Sequence, residues 1–463
     1  MIFKFVREFM LKQVNFLSAL FFLLIFYQLK AQDNSKEIKT EKSKIKKGWT
    51  FGALPVISFN TDIGFQYGVL ANFYNYGDGS NYPEYLQSIF LEVSRTTKGS
   101  GINRFYFDSE HVIPNIRLTA DISYLTEQAM HFFGFNGYDA VYNAAWEDDT
   151  DPEYVSRVFY RHDRKIFRVM TSFQGNIIRD SDNFRWLAGF SYYDNTIGSV
   201  DIDLLNKGKS DDDKLPDVDG LYDKYVKWGT IKPDEAKGNK TTYLKAGLVY
   251  DTRDFEAFPT KGIWAEAIYS YAPGFLGDGK FDYSKLTLWV RQYLSLASKN
   301  LILAYRIGYQ RTMSGMVPFH MQPHIVPTIM TAATSQGLGG AKTLRGIMRN
   351  RVVGDGIVLG NAELRWKFLH TVVFNQNLYL GTNLFVDVGR VPEEIEIDFD
   401  PAEMGDDLPE DYFSPGSEKV HLSAGLGLKV GLNENFIVSL DYGVATDNRD
   451  GNSGTYITLN WLY

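Results

Sequence analysis

From Trp49 onward, apolar and polar residues alternate in one run after another, and the runs are bounded by Gly, Pro, Asn, Asp and Ser. A period of two marks a strand with one apolar and one polar face, because successive side chains point to opposite sides. The pattern predicts about sixteen strands, over 49–59, 63–77, 86–98, 101–112, 116–128, 156–178, 184–196, 241–251, 262–272, 281–294, 300–311, 356–368, 378–388, 418–430, 435–445 and 453–463. Connections sort by parity. After the fourth, sixth, tenth and fourteenth strands they are brief (113–115, 179–183, 297–298, 431–434). After the fifth, seventh, eleventh and thirteenth they are long (129–155, 197–240, 312–355, 389–417). The first two outer loops are short and the turns at 78–85 and 252–261 are longer, as exceptions. Short turns on one rim, long loops on the other and an even strand count are what an outer-membrane barrel requires. A β-sandwich has no reason to segregate its loops in this way.

The last run, Thr455 to Tyr463, supports the same class. Its alternation gives Ile457, Leu459, Trp461 and Tyr463 as the outward, lipid-facing set, and the more polar Tyr456, Thr458, Asn460 and Leu462 as the inward one. The expected fold is therefore all-β: a transmembrane antiparallel β-barrel of about 16 strands with a long inward-folded loop.

Composition adds a compartment. Lys4, Arg7 and Lys12 precede an apolar run from Phe16 to Tyr27, too short for the ~20 residues of a spanning helix. With Ala31-Gln32 after it, this reads as a secretory signal peptide over 1–32, with Met10 an equally good start. Residues 33–48 are polar and lysine-rich, a short periplasmic stub, and 49–463 form the barrel. The formal net charge is −8, and the leader carries Lys4, Arg7, Lys12 and Lys30 against Glu8, so the remainder stands at −11. An acidic chain argues against nucleic acid as a partner. Cysteine is absent, so there is no disulfide framework and no lipoprotein anchor. With 29 Tyr, 33 Phe and 41 Gly, a secreted sandwich or solenoid stays open on composition alone. The girdles of a membrane barrel also fit.

Candidate chemistry concentrates between Gly337 and Arg390. On 358–368 the residues Leu359, Asn361, Glu363, Arg365 and Lys367 share a face; on 378–389 Tyr379, Gly381, Asn383, Phe385 and Asp387 share one. Glu363 and Asp387 thus lie on the more polar faces of neighbouring strands, and Arg345 precedes them in a glycine-rich loop. A guanidinium between two carboxylates would pin that loop against the inside of the sheet.

Four motifs resemble those of the Omp85 superfamily, the outer-membrane surface-antigen family. They are Leu344-Arg345-Gly346-Ile347, the run Phe385 to Gly389 with Glu363 before it, YDTRDFEAFPTKG over 250–262, and FFGFNG over 132–137. Ile347 stands where that family has an aromatic. The resemblance implies a sixteen-stranded barrel whose loop arginine, Arg345, meets Glu363 and Asp387. It implies a C-terminal assembly signal at Ile457, Leu459, Trp461 and Tyr463, and a seam between first and last strands that opens sideways. It further implies insertion, assembly or translocation of unfolded outer-membrane or secreted protein clients, in outer-membrane lipid. The 33–48 stub places the chain in the branch without soluble periplasmic domains. A passive pore, or a structural barrel bound to a partner, is the alternative.

Elsewhere the sequence offers little chemistry. His320 and His324 sit among Pro318, Pro323 and Pro327 and share no helix face. Lys342-Thr343 lacks the glycine that a phosphate loop needs before its lysine. Asp217-Val218-Asp219-Gly220, with Asp211 to Asp213 nearby, departs from calcium-loop spacing. No cofactor, no metal and no catalytic residue are expected.

Overall fold

The computed structural model describes residues 44–60, 62, 64–178, 181–325 and 337–463. The expected leader and most of the stub lie outside the described residues. One antiparallel sheet of sixteen strands runs in sequence order. The strands are β1 (Trp49–Asn60), β2 (Gly64–Asn75), β3 (Gln87–Thr96), β4 (Gly101–Ile113), β5 (Ile116–His131), β6 (Arg161–Ile178), β7 (Ser181–Gly198) and β8 (Lys240–Asp251). They continue as β9 (Gly262–Ala272), β10 (Tyr283–Ser298), β11 (Leu301–Gly315), β12 (Gly356–Val373), β13 (Gln376–Glu393), β14 (His421–Leu432), β15 (Phe436–Ala445) and β16 (Ser453–Leu459). Burial alternates as the sequence does. On β12 the residues Asn361, Glu363 and Arg365 are buried in the lumen, while Leu364 and Trp366 are exposed on the lipid side. No helix among the described residues is long and apolar enough to cross a membrane.

The final strand departs from expectation. β16 stops at Leu459, and Asn460 takes a positive φ of 65°. The change of hand breaks the alternation, so Leu459, Trp461 and Tyr463 are 8%, 3% and 8% exposed and only Ile457, at 74%, faces outward. Trp461 stacks near Phe258 and Tyr379, and the Tyr463 hydroxyl donates to the Ala304 carbonyl at 3.0 Å. Burying two large aromatics in the lumen outweighs extending the ladder by a few residues.

The ends of the sheet meet through side chains. Among the described residues no backbone pairing joins β1 to β16. Instead the Phe436 ring lies against Gly52, where a Cβ would overlap it. Phe436 and Leu459 pack with Tyr74, Tyr76 and Phe90. Below them, on the short-turn rim, Tyr74 donates to the Asn435 carbonyl at 2.9 Å. The Lys44 backbone exchanges hydrogen bonds with the Asn377 side chain at 2.7 and 2.9 Å.

The long loops build a cap of their own. Phe132, Tyr160, Tyr225, Trp228, Phe319 and Phe413, drawn from the connections after β5, β7, β11 and β13, form one buried aromatic cluster over the outer mouth. His320 sits inside it, 2.8 Å from the Asn239 side chain. Burial, with His162 and Arg164 alongside, pushes its imidazole down to about 3. His324, in the same loop, is also held well below the ordinary value, by burial and by Arg164, Arg168 and Lys285. Below an unfolded value of ~6.5 the unfolded loop binds protons that the folded one refuses, so the cap loses stability as pH falls from there toward about 3. Limited proteolysis of the outer loops is expected to speed up between pH 7.5 and pH 4.5, less so in His320→Gln. Equal protection across that range contradicts this.

Candidate functional site

The connection between β11 and β12 turns back into the lumen. Between Leu338 and Val352, which bridge each other, it winds into a compact tip: Gly339 donates to the Thr343 hydroxyl at 2.9 Å and Gly340 to the Ile347 carbonyl at 3.0 Å. Leu344 and Ile347 pack into a small apolar cluster with Leu338 and Val352 of the loop and with Trp289 and Leu359 of the strand wall. Gly346 has a φ of 96°, and a Cβ there would come within 2.7 Å of the Gly443 backbone on β15. A side chain on Gly443 would meet Arg345 in the same way. Two glycines thus let the loop backbone lie directly on the strand, and the Gly346 amide donates to the Tyr456 hydroxyl at 3.0 Å.

This placement aims Arg345 at β12 and β13. Its Nε donates to Asp387 Oδ2 and its Nη2 to Asp387 Oδ1, both at 2.9 Å, and its own backbone amide reaches Oδ2 at 3.0 Å. Nη1 donates to Glu363 Oε1 at 2.6 Å. The guanidinium lies 3.5 Å above the centre of the Phe385 ring. The structure therefore brings together Arg345, Glu363 and Asp387, each at most 1% exposed.

Three further charged residues complete the group, and the sequence reading did not single them out for it. Arg365 donates to Glu363 Oε2 at 2.7 Å. Asp441 lies 3.6 Å from Arg345 and accepts from Lys429 at 2.6 and 2.7 Å. Three cations and three carboxylates leave the cluster neutral, which is how a buried ionic group becomes tolerable. The available signal was a lysine and an aspartate on inward positions of β14 and β15, diagonal to each other across that pair and one and two strands from Asp387. Arg365 also donates to the Tyr463 carbonyl at 2.8 Å and stacks on the Trp461 and Tyr463 rings. The inward-turned residues Trp461 and Tyr463 therefore join the loop site rather than the lipid face.

The other motifs fall on the two rims. In 250–262, Arg253 donates to Asp251 at 2.9 Å and to Glu256 at 3.1 Å. In 132–137, the Asn136 amide donates to the Val353 carbonyl at 2.6 Å and fastens the cap to the foot of the lumen loop. Among the described residues no group of three or more His, Asp or Glu is placed to hold a metal ion.

A family model described as the Omp85 superfamily domain matches residues 87–461. Among solved structures, CdiB from Escherichia coli is similar over 90% of this chain and 63% of that one, at 11% identity and a TM-score of 0.50. BamA from Haemophilus ducreyi lacking POTRA domains 1–3 is 16% identical over 90% of this chain and 70% of that one, with a TM-score of 0.46. CdiB from Acinetobacter baumannii is 14% identical over 90% and 60%, with a TM-score of 0.45. The chain thus spans less than two thirds of either CdiB chain. No curated protein matches it.

Proposed function

This chain belongs to the Omp85 superfamily and is an integral outer-membrane β-barrel, and from that premise we propose that it inserts or translocates protein clients at the outer membrane. The seam carries the reading. β1 offers twelve residues of strand with no backbone partner on its outer edge among the described residues, while β16 offers seven and then turns into the lumen. An unpaired edge next to lipid is a template for a client strand, which would add by β-augmentation and satisfy its own backbone groups there. The packing of Phe436 on Gly52 and of Phe436 and Leu459 on Tyr74, Tyr76 and Phe90 would have to part, with the rim hydrogen bonds of Tyr74 to Asn435 and of Lys44 to Asn377.

Within this reading the Arg345 cluster is a brace rather than a catalytic centre. It fixes the lumen loop to β12, β13 and β15, so that the wall beside the seam stays rigid while the seam moves. The barrel works by strand exchange, without bond chemistry, cofactor or metal. A passive pore fits less well, because the outer mouth lies under an aromatic cap with its own buried cluster. The experiment is the folding of an unfolded outer-membrane protein into liposomes that contain the barrel, which is expected to outpace folding into empty ones.

A further inference from the structure

Below the Arg345 cluster the lumen holds a cavity of about 160 Å³. The space is walled by β2 to β6, β9 and β10, by the turn residues Tyr85, Glu256 and Asn435, by Lys342, and by residues 459–463. Seven charged side chains face it, and most are already matched. Arg117 donates to Asp108 at 2.7 and 2.9 Å and to Glu256 at 2.9 Å. Arg253 shares Glu256 at 3.1 Å, and Arg104 is paired with Asp121.

Two cations remain without a carboxylate. Arg291 on β10 is 2% exposed, and its Nε has no hydrogen-bond partner. Glu266 on the adjoining strand acts on it only at longer range. Lys342, three residues before Arg345, donates to the Leu459 carbonyl at 3.1 Å. Beside Arg291 across the β9–β10 pair stands Trp264, whose buried indole N–H is also without an acceptor. Its ring is flanked by Arg253 at 4.5 Å and Arg185 at 5.5 Å. Gln174, 3% exposed, lines the same space, and its carbonyl oxygen is without a donor.

Buried donors are almost always satisfied, and a buried charge left unpaired is costly. A charged donor and a neutral one, both without acceptors and both on one cavity, mark the place of a missing acceptor. We propose that this cavity binds an oxyanion group, carboxylate or phosphate, through the Arg291 guanidinium, the Trp264 indole N–H and the Lys342 ammonium. A guanidinium matches the two oxygens of either group, and a nearby N–H adds direction. Lys342 gives the site a consequence: an anion held there ties the loop that carries Arg345 to the opposite wall of the barrel. The inference does not depend on client insertion.

The test is titration calorimetry on the purified full-length barrel in low-salt buffer, with inorganic phosphate in one arm and succinate in the other. Saturable binding of either is expected, weakened at least tenfold in Arg291→Gln and by a smaller factor in Trp264→Phe, which removes only the N–H donor and part of the ring. Phosphate binding alone assigns the site to phosphate groups, and succinate binding alone to carboxylates. Heat-modified gel mobility confirms that each variant is folded, and if Arg291→Gln does not fold, Trp264→Phe decides. Absence of saturable binding to wild type, or equal affinity in the folded variants, overturns the proposal and leaves a water-filled space.

Discussion

Arg345→Ala is expected to yield a barrel that still assembles but unfolds at lower temperature, leaks small solutes, and loses its heat-modified gel shift at a lower temperature than wild type. The alanine removes the three side-chain hydrogen bonds to Glu363 and Asp387, while the backbone amide bond to Asp387 stays. It leaves the cluster with an excess negative charge in a site at most 4% exposed. Breaking one side of a buried ion pair costs about 3–5 kcal/mol, because the stranded charge is the larger part of the penalty. Arg345→Lys should fall between. Its ammonium restores the charge but cannot span both carboxylates in one plane, nor stack flat on Phe385. Unfolding temperature and antibiotic sensitivity equal to wild type in Arg345→Ala would show that the loop is held by other contacts.

Locking the seam has the second large effect. The chain has no cysteine, so a Gly52→Cys and Phe436→Cys pair can form one designed bond. A side chain on residue 52 would occupy the place of the Phe436 ring, which brings the two Cβ atoms near the ~3.5–4.5 Å that a disulfide requires. Oxidised cells are expected to lose the protein's client from the outer membrane and to regain it on reduction, with the reduced double variant as the control. Client levels unchanged by oxidation would mean that strand addition at this seam is not the mechanism.

The sequence was most readable where alternation and burial agree. Glu363 and Asp387 share inward faces because their strands keep parity over 358–367 and 378–389, so the partners of Arg345 were legible from spacing. It was least readable where one residue changes the hand of the chain. Nothing around Asn460 requires a positive φ; the burial of Trp461 and Tyr463 against Phe258, Tyr379 and Arg365 decides it, and those partners are far away in sequence. The aromatics at 132–135, 222–228 and 412–413 were visible as composition. Their assembly into one cap depends on four loops meeting, which no local period encodes. Lys429 and Asp441 were hidden for a similar reason, since each reads as a single polar residue in its own strand and gains meaning only as a pair across β14 and β15.

The central claim is that the barrel itself carries a client strand into the membrane at the edge of β1. The most direct measurement is the folding rate of an unfolded outer-membrane protein into liposomes holding the purified barrel, compared with empty liposomes and with the oxidised Gly52→Cys/Phe436→Cys form. Faster folding with wild type, falling to the empty-liposome rate on oxidation and returning on reduction, is the predicted result. Folding no faster than in empty liposomes, or acceleration that survives the lock, would contradict it.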